Sequence, residues 1–166
     1  MNVGVESCYE DSLQFLGKHI HTGVIEQAFE NLWEAAPEIV SWSTFIVAGP
    51  NSEPEDVYGL ADFGKRINTT YIQICPLVLY PGTRSYEQVF GKSPVWLAAL
   101  LDPDNPDPYQ WAEQDQEKLN RTKQAIERTY GDFYLSTYWE QKARMQYGSR
   151  YDEVRSKILD RFGIHE

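Results

Sequence analysis

The chain has 166 residues, 42% hydrophobic and 24% charged, with twenty-five acids against fifteen bases and a net charge of -10. This is the composition of one folded domain that hides most of its apolar surface without disulfides or metals. It excludes a protein held by its whole surface on nucleic acid or an anionic membrane. The longest apolar stretches, Phe45-Ile46-Val47-Ala48 and Val95 to Leu101, are too short to span a bilayer. The start, Met-Asn-Val-Gly-Val-Glu, has neither the basic nor the apolar region of a signal peptide, so the expected location is cytoplasmic.

Along the chain, Leu13, Leu16 and Ile20 predict a first helix over 11–20, weakened by Gly17. A second, preceded by Thr22, places Val24, Ile25, Ala28, Phe29 and Leu32 on one face and Glu26, Glu30 and Glu34 on the other, and is ended by Pro37. Residues 39–48 read as a strand bounded by Gly49-Pro50. Val57, Leu60, Phe63 and Ile67 fall at helical spacing after a start at Ser52, Pro54 and Glu55. Residues 69–80 form a second strand candidate, and Pro76 makes it an edge strand, a bulge or two short strands, because proline cannot donate to a ladder. Pro81-Gly82 marks a turn. A third strand is expected in 2–7 or 84–90, since two strands do not make a sheet that stands alone.

The remainder reads as helical. Ser93-Pro94 opens an apolar helix over 95–101. A helix restarting at Asp107-Pro108 is expected to run to Tyr130, with Trp111, Leu119, Ile126 and Tyr130 on its apolar stripe and Gly131 as its cap. Asp132 then opens a helix to Tyr147. Ser149 with Asp152 resembles a capping box for a last helix striped by Tyr151, Val154, Ile158, Leu159 and Phe162 and ended by Gly163. The expected class is α+β with helix predominating: a small sheet in the N-terminal half followed by a C-terminal helical bundle. The mixed core occupies 1–101, an acidic, proline-rich connector 102–108, and the helices of 109–166 pack on the same domain.

Charge is unevenly distributed. Residues 1–117 hold eighteen acids and five bases, whereas 118–161 hold ten bases and six acids, interleaved with Tyr130, Tyr134, Tyr138, Trp139, Tyr147 and Tyr151. Either the basic helices lie against the acidic part, or they present a basic, aromatic face to an anionic partner. The eleven tyrosines and five tryptophans exceed what a small core holds, and such residues are enriched in binding hot spots. Tyr134, Tyr138, Trp139, Arg144 and Arg84 are therefore the candidate binding residues.

Chemical signatures are sparse. His19 and His21 would share a metal or a catalytic task only on a strand, where i and i+2 point the same way, and no companion ligand stands nearby in sequence. Asp102, Asp104 and Asp107 supply oxygens for a hard cation, without the glycine and distal glutamate of an EF-hand. Arg84 after Pro81-Gly82 would hold an anion at a helix start. The two cysteines, Cys8 and Cys75, read as reduced thiols, with Cys75 buried. Nucleotide-binding, hydrolase and zinc motifs are missing from the sequence, and no cofactor is expected.

These features lead to an interaction factor, such as an inhibitor, an antagonist or an assembly subunit, that binds a protein partner through charged and aromatic surfaces. Its alternatives are an enzyme or small-molecule binder acting on an anionic ligand through His19, His21 or Arg84, and a nucleic-acid binder using residues 118–161. A membrane is not an expected partner, and self-association would consume the same aromatic surface.

Overall fold

The computed structural model describes residues 1–49, 52–91 and 110–165. Three parallel strands lie in the order of the sequence: β1 (Asn2–Glu6), β2 (Trp42–Val47) and β3 (Tyr71–Pro76). Parallel neighbours need a crossover. Helices α1 (Glu10–Phe15) and α2 (Thr22–Ala35) make the first, and a 3-10 turn (Pro54–Tyr58) with α3 (Gly59–Arg66) makes the second. A two-residue antiparallel pair, β4 (Val78–Leu79) with β5 (Gln110–Trp111), and the short helix α4 (Arg84–Phe90) follow β3. Three C-terminal helices complete the described chain: α5 (Gln116–Tyr134), α6 (Thr137–Tyr147) and α7 (Tyr151–Phe162). The class is α+β, a small sheet in the N-terminal half and a helical region in the C-terminal half.

The third strand is the one expected near the N-terminus, and residues 84–90 are helical instead. The segment does divide into two short strands: Pro76 ends the first and Leu77 separates it from the second. Tyr71 and Leu77 donate their backbone N–H groups to Ser41, just before β2, and to Val47 at its end, so the N–H groups of the intervening even-numbered residues face the outer edge. A missing N–H at Pro76 therefore removes no ladder bond.

Helix boundaries moved where side-chain caps or packing outweighed local signals. α1 is only six residues long, and Gly17 at φ +72 leads the chain away. Residues 110 and 111 belong to a strand, so the helix expected from Asp107 begins at Gln116, where the Asp115 carboxylate accepts the N–H groups of Glu117 and Lys118. That helix does not stop at Gly131 but continues to Tyr134. The next opens at Thr137 under a Ser136 cap rather than at Asp132. A 3-10 turn, Gly148–Arg150, stands where a capping box was expected before α7, while Gly163 closes α7 in the left-handed conformation, as its position implied. The helix expected over 95–101 and the connector over 102–108 lie outside the described residues.

One sheet face forms the core. Val5, Phe45, Ile72 and Ile74 meet Leu60 and Phe63 of α3 and Phe133 of α5, all of them buried. Gly64 permits this approach, because a Cβ there would stand 2.8 Å from Ile72 and 3.0 Å from Phe133. At the outer edge of β3 the C-terminal helices take the place of a fourth strand. The Tyr134 hydroxyl accepts from Ile72 N (3.0 Å) and donates to Ile72 O (2.6 Å). Tyr130 accepts from Ile74 N (2.7 Å) and donates to Ile74 O (3.2 Å). Further along, the Trp139 indole donates to Thr70 O, the Tyr138 hydroxyl to Thr69 O, and the Lys142 ammonium to Asn68 O. Unpaired edge groups buried away from water are costly, and this row of side chains satisfies them.

Candidate functional site

The C-terminal ends of parallel strands are where open sheets form ligand crevices, and a cavity of about 400 Å³ opens there. Its described walls are Asp11, Ser12, Gln14 and Phe15 of α1 with Leu16 just after it, Ile46 of β2 with Gly49 beyond the strand's end, and Ser52 and Leu77. A separate, much smaller void of about 10 Å³ shares Ser12, Ile46 and Ser52 with it and is lined also by Tyr9, Glu53 and Asp56.

Local chemistry explains the shape. Immediately after β1, Ser7 accepts the Tyr9 N–H and α1 begins at Glu10, so Asp11, Ser12 and Gln14 all belong to a helix that starts at the strand's end. Leu13 points into the core at 0% exposure and fixes the rotation of the helix. Across the opening, Gly49 N donates to Ser52 Oγ (3.1 Å) and tightens the loop leaving β2. Leu77, Phe15, Leu16 and Ile46 join Leu79 and Ala112 in a small apolar cluster beneath.

Two further features mark this end of the sheet. Among the described residues, three that are not glycine have positive φ, and two of them, Glu6 (φ 69) and Ala48 (φ 58), terminate β1 and β2. Each costs on the order of 1 kcal/mol, strain of a kind that clusters at functional sites. In addition, the side chains of Asp11, Ser12 and Gln14 have no hydrogen-bond or ion-pair partner among the described residues. The surrounding acids are engaged: Glu6 with Lys18, Glu10 with His21 and Thr22, and Glu53 and Asp56 in a capping box. The Tyr9 hydroxyl donates to Asp56 O, and burial raises its pKa to about 12.

The residues singled out from sequence are placed elsewhere. His21 is the cap residue of α2 and His19 is exposed beside it. The His21 ring meets Glu10, which accepts both the backbone N–H and the hydroxyl of Thr22. Hydrogen bonding from Thr22, then the His21 contact, holds the Glu10 carboxyl below its usual pKa. The histidines thus belong to a helix start, and no group of three or more His, Cys, Asp or Glu suited to a metal forms among the described residues. Arg84 is exposed on the first turn of the seven-residue α4, outside the crevice. Asp102, Asp104 and Asp107 lie outside the described residues. Tyr134 and Trp139, at 1% and 0% exposure, do not form the exposed aromatic surface expected of them, because their polar atoms are spent on β3. Tyr138 is half-buried against Phe133, and Arg144 lies over the Tyr151 ring while pairing with Glu140. Cys75 and Cys8 are both free and half-buried, with burial raising the Cys8 thiol to about 11.

The basic helices divide their charges. Lys118 reaches Glu53 and Glu113, and Arg121 reaches Glu55, joining α5 to the acidic half. Arg144 and Lys157 pair within their own helices. Lys142 is exceptional at 5% exposure: its ammonium sits 3.4 Å over the Trp33 ring and reaches both oxygens of Asn68, while burial pulls its pKa down to about 7.

No helix among the described residues is long and apolar enough to cross a membrane. No protein-family model matches the chain, and no curated protein matches it.

Proposed function

We propose that the protein binds a small polar organic molecule, as an enzyme or a binder, in the crevice at the carboxyl ends of its parallel strands. One observation carries this reading: three polar side chains of α1, Asp11, Ser12 and Gln14, line a cavity of about 400 Å³ and engage nothing else among the described residues. Polar groups converging on a partly apolar cavity are the usual composition of a ligand site. The ligand differs from the anion expected at His19, His21 or Arg84, because none of these residues lines the crevice. A fragment screen followed by amide NMR tests the reading. Binders should shift the Ser12, Gly49 and Ser52 signals and be lost in Ser12→Trp, which fills the crevice from a half-buried position. Fragments that map elsewhere and ignore Ser12→Trp refute it.

The interaction factor remains a second reading, now resting on α2 rather than on the aromatic rings. Of its fourteen residues only Ile25 and Phe29 are buried, Val24 is 55% exposed, and Glu30 and Glu34, one turn apart, are exposed as well. A partner recovered with the protein should be released by Glu30→Lys with Glu34→Lys. Retention would point away from α2.

A further inference from the structure

We infer that the ligand of this crevice carries an organic ammonium on an aromatic or alkyl body, an inference that rests on the reading of the crevice as a ligand site. The one charged group of the described wall is the Asp11 carboxylate, which only accepts, and the Ser12 and Ser52 hydroxyls and the Gln14 amide, which both donate and accept, offer further oxygens beside it. An ammonium offers three donors and no acceptor, which matches that set. The remaining wall, Phe15, Leu16, Ile46 and Leu77, is apolar and includes a ring against which the body of such a molecule packs.

Charge selects among head groups. No lysine, arginine or histidine is among the described residues of the wall, and the nearby cation Lys18 is paired with Glu6. Asp11 has no ion-pair partner among the described residues. A carboxylate or phosphate ligand would lose its hydration opposite Asp11 without a compensating cation, a costly arrangement. An ammonium gains a charge-assisted hydrogen bond there, and the net charge of -10 draws cations towards the surface.

Three ligands sharing one hydrocarbon body separate the possibilities: 2-phenylethylamine, 2-phenylethanol and phenylacetate. They are titrated into the full chain at neutral pH and low salt, with affinity read by calorimetry and location by amide NMR. The amine should bind at least about tenfold tighter than the alcohol, with shifts at Ser12, Gly49 and Ser52, and the carboxylate should bind least. Asp11→Asn should bring the amine to the level of the alcohol and leave the alcohol unchanged. Because Asp11 is exposed on the first turn of α1, this variant keeps the fold, and an unchanged melting temperature verifies it. Equal binding of amine and alcohol, or tighter binding of phenylacetate, with shifts in the crevice would overturn the ammonium and keep the site. Absence of binding by all three, or shifts confined to other surfaces, would overturn both.

Discussion

Removing one oxygen atom tests the claim that tyrosines stand in for a missing strand. Tyr134→Phe preserves the ring, which stacks on Phe162 at 5.0 Å and meets Trp139 edge-on at 5.4 Å, so packing changes little. What disappears is a hydroxyl that serves both backbone groups of Ile72, a residue at 0% exposure. Each buried backbone group left unsatisfied costs about 1–3 kcal/mol, so the variant, which leaves two, should lose about 2–6 kcal/mol. With a urea slope of roughly 2 kcal/mol/M for a chain of this size, the midpoint should fall by about 1–3 M with the slope unchanged. Hydrogen exchange provides a local reading: the Ile72 amide should lose protection while Ile74, held by Tyr130, keeps most of its own. Tyr58→Phe, at a residue 40% exposed, serves as the control and should change stability by less than about 0.5 kcal/mol. If Tyr134→Phe is as mild as this control, the edge of β3 is satisfied by other means and the tyrosine row is incidental.

Gly64→Ala should destabilise by about 1–3 kcal/mol in the same denaturation, since the new methyl would press on Ile72 and Phe133 in the packed core. A neutral result would show that α3 can lift from the sheet at no cost. Lys142 makes a statement about pH. Its folded pKa of about 7 lies below the ordinary value of 10.5, so above pH 7 the unfolded chain binds a proton that the native state lacks, and stability must rise with pH. The window closes near pH 9, above which the raised Cys8 thiol and buried tyrosines act in the opposite sense. Between pH 7 and 9 the gain should reach up to about 2 kcal/mol, limited by the Trp33 face and the Asn68 oxygens, which favour the ammonium. Lys142→Met should flatten the profile over this range, and an unchanged slope would place the titration elsewhere.

The divided reading of the C-terminal aromatics shows where sequence reasoning stopped. Tyr130, Tyr134 and Tyr138 stand four residues apart, and Gly131-Asp132 predicts a helix break after the first. Helix α5 runs through both residues, because the bonds of Tyr130 and Tyr134 to β3 fix the backbone on either side of Gly131 and outweigh its weak local preference. The surplus of tyrosine was visible. Its use, hydroxyls paired with a sheet edge, could not be read without knowing that β3 is an edge.

The sequence by itself determined what depends on neighbours along the chain: the β-branched strands around Phe45 and Ile72, the amphipathic α2 and α7, the left-handed stop at Gly163 and the proline that ends β3. What depends on residues far apart in the chain follows from the three-dimensional packing alone. The parallel order of the strands brings the ends of β1, β2 and β3 together, and with them Asp11, Ser12, Ser52 and Leu77, which no spacing links. Of the two histidines conspicuous in sequence, His21 is held at the start of α2 by Glu10, eleven residues away. Periodicity reports which face of an element is apolar, whereas the neighbour that covers this face, and the crevice left between such neighbours, follow from packing the whole chain around one core.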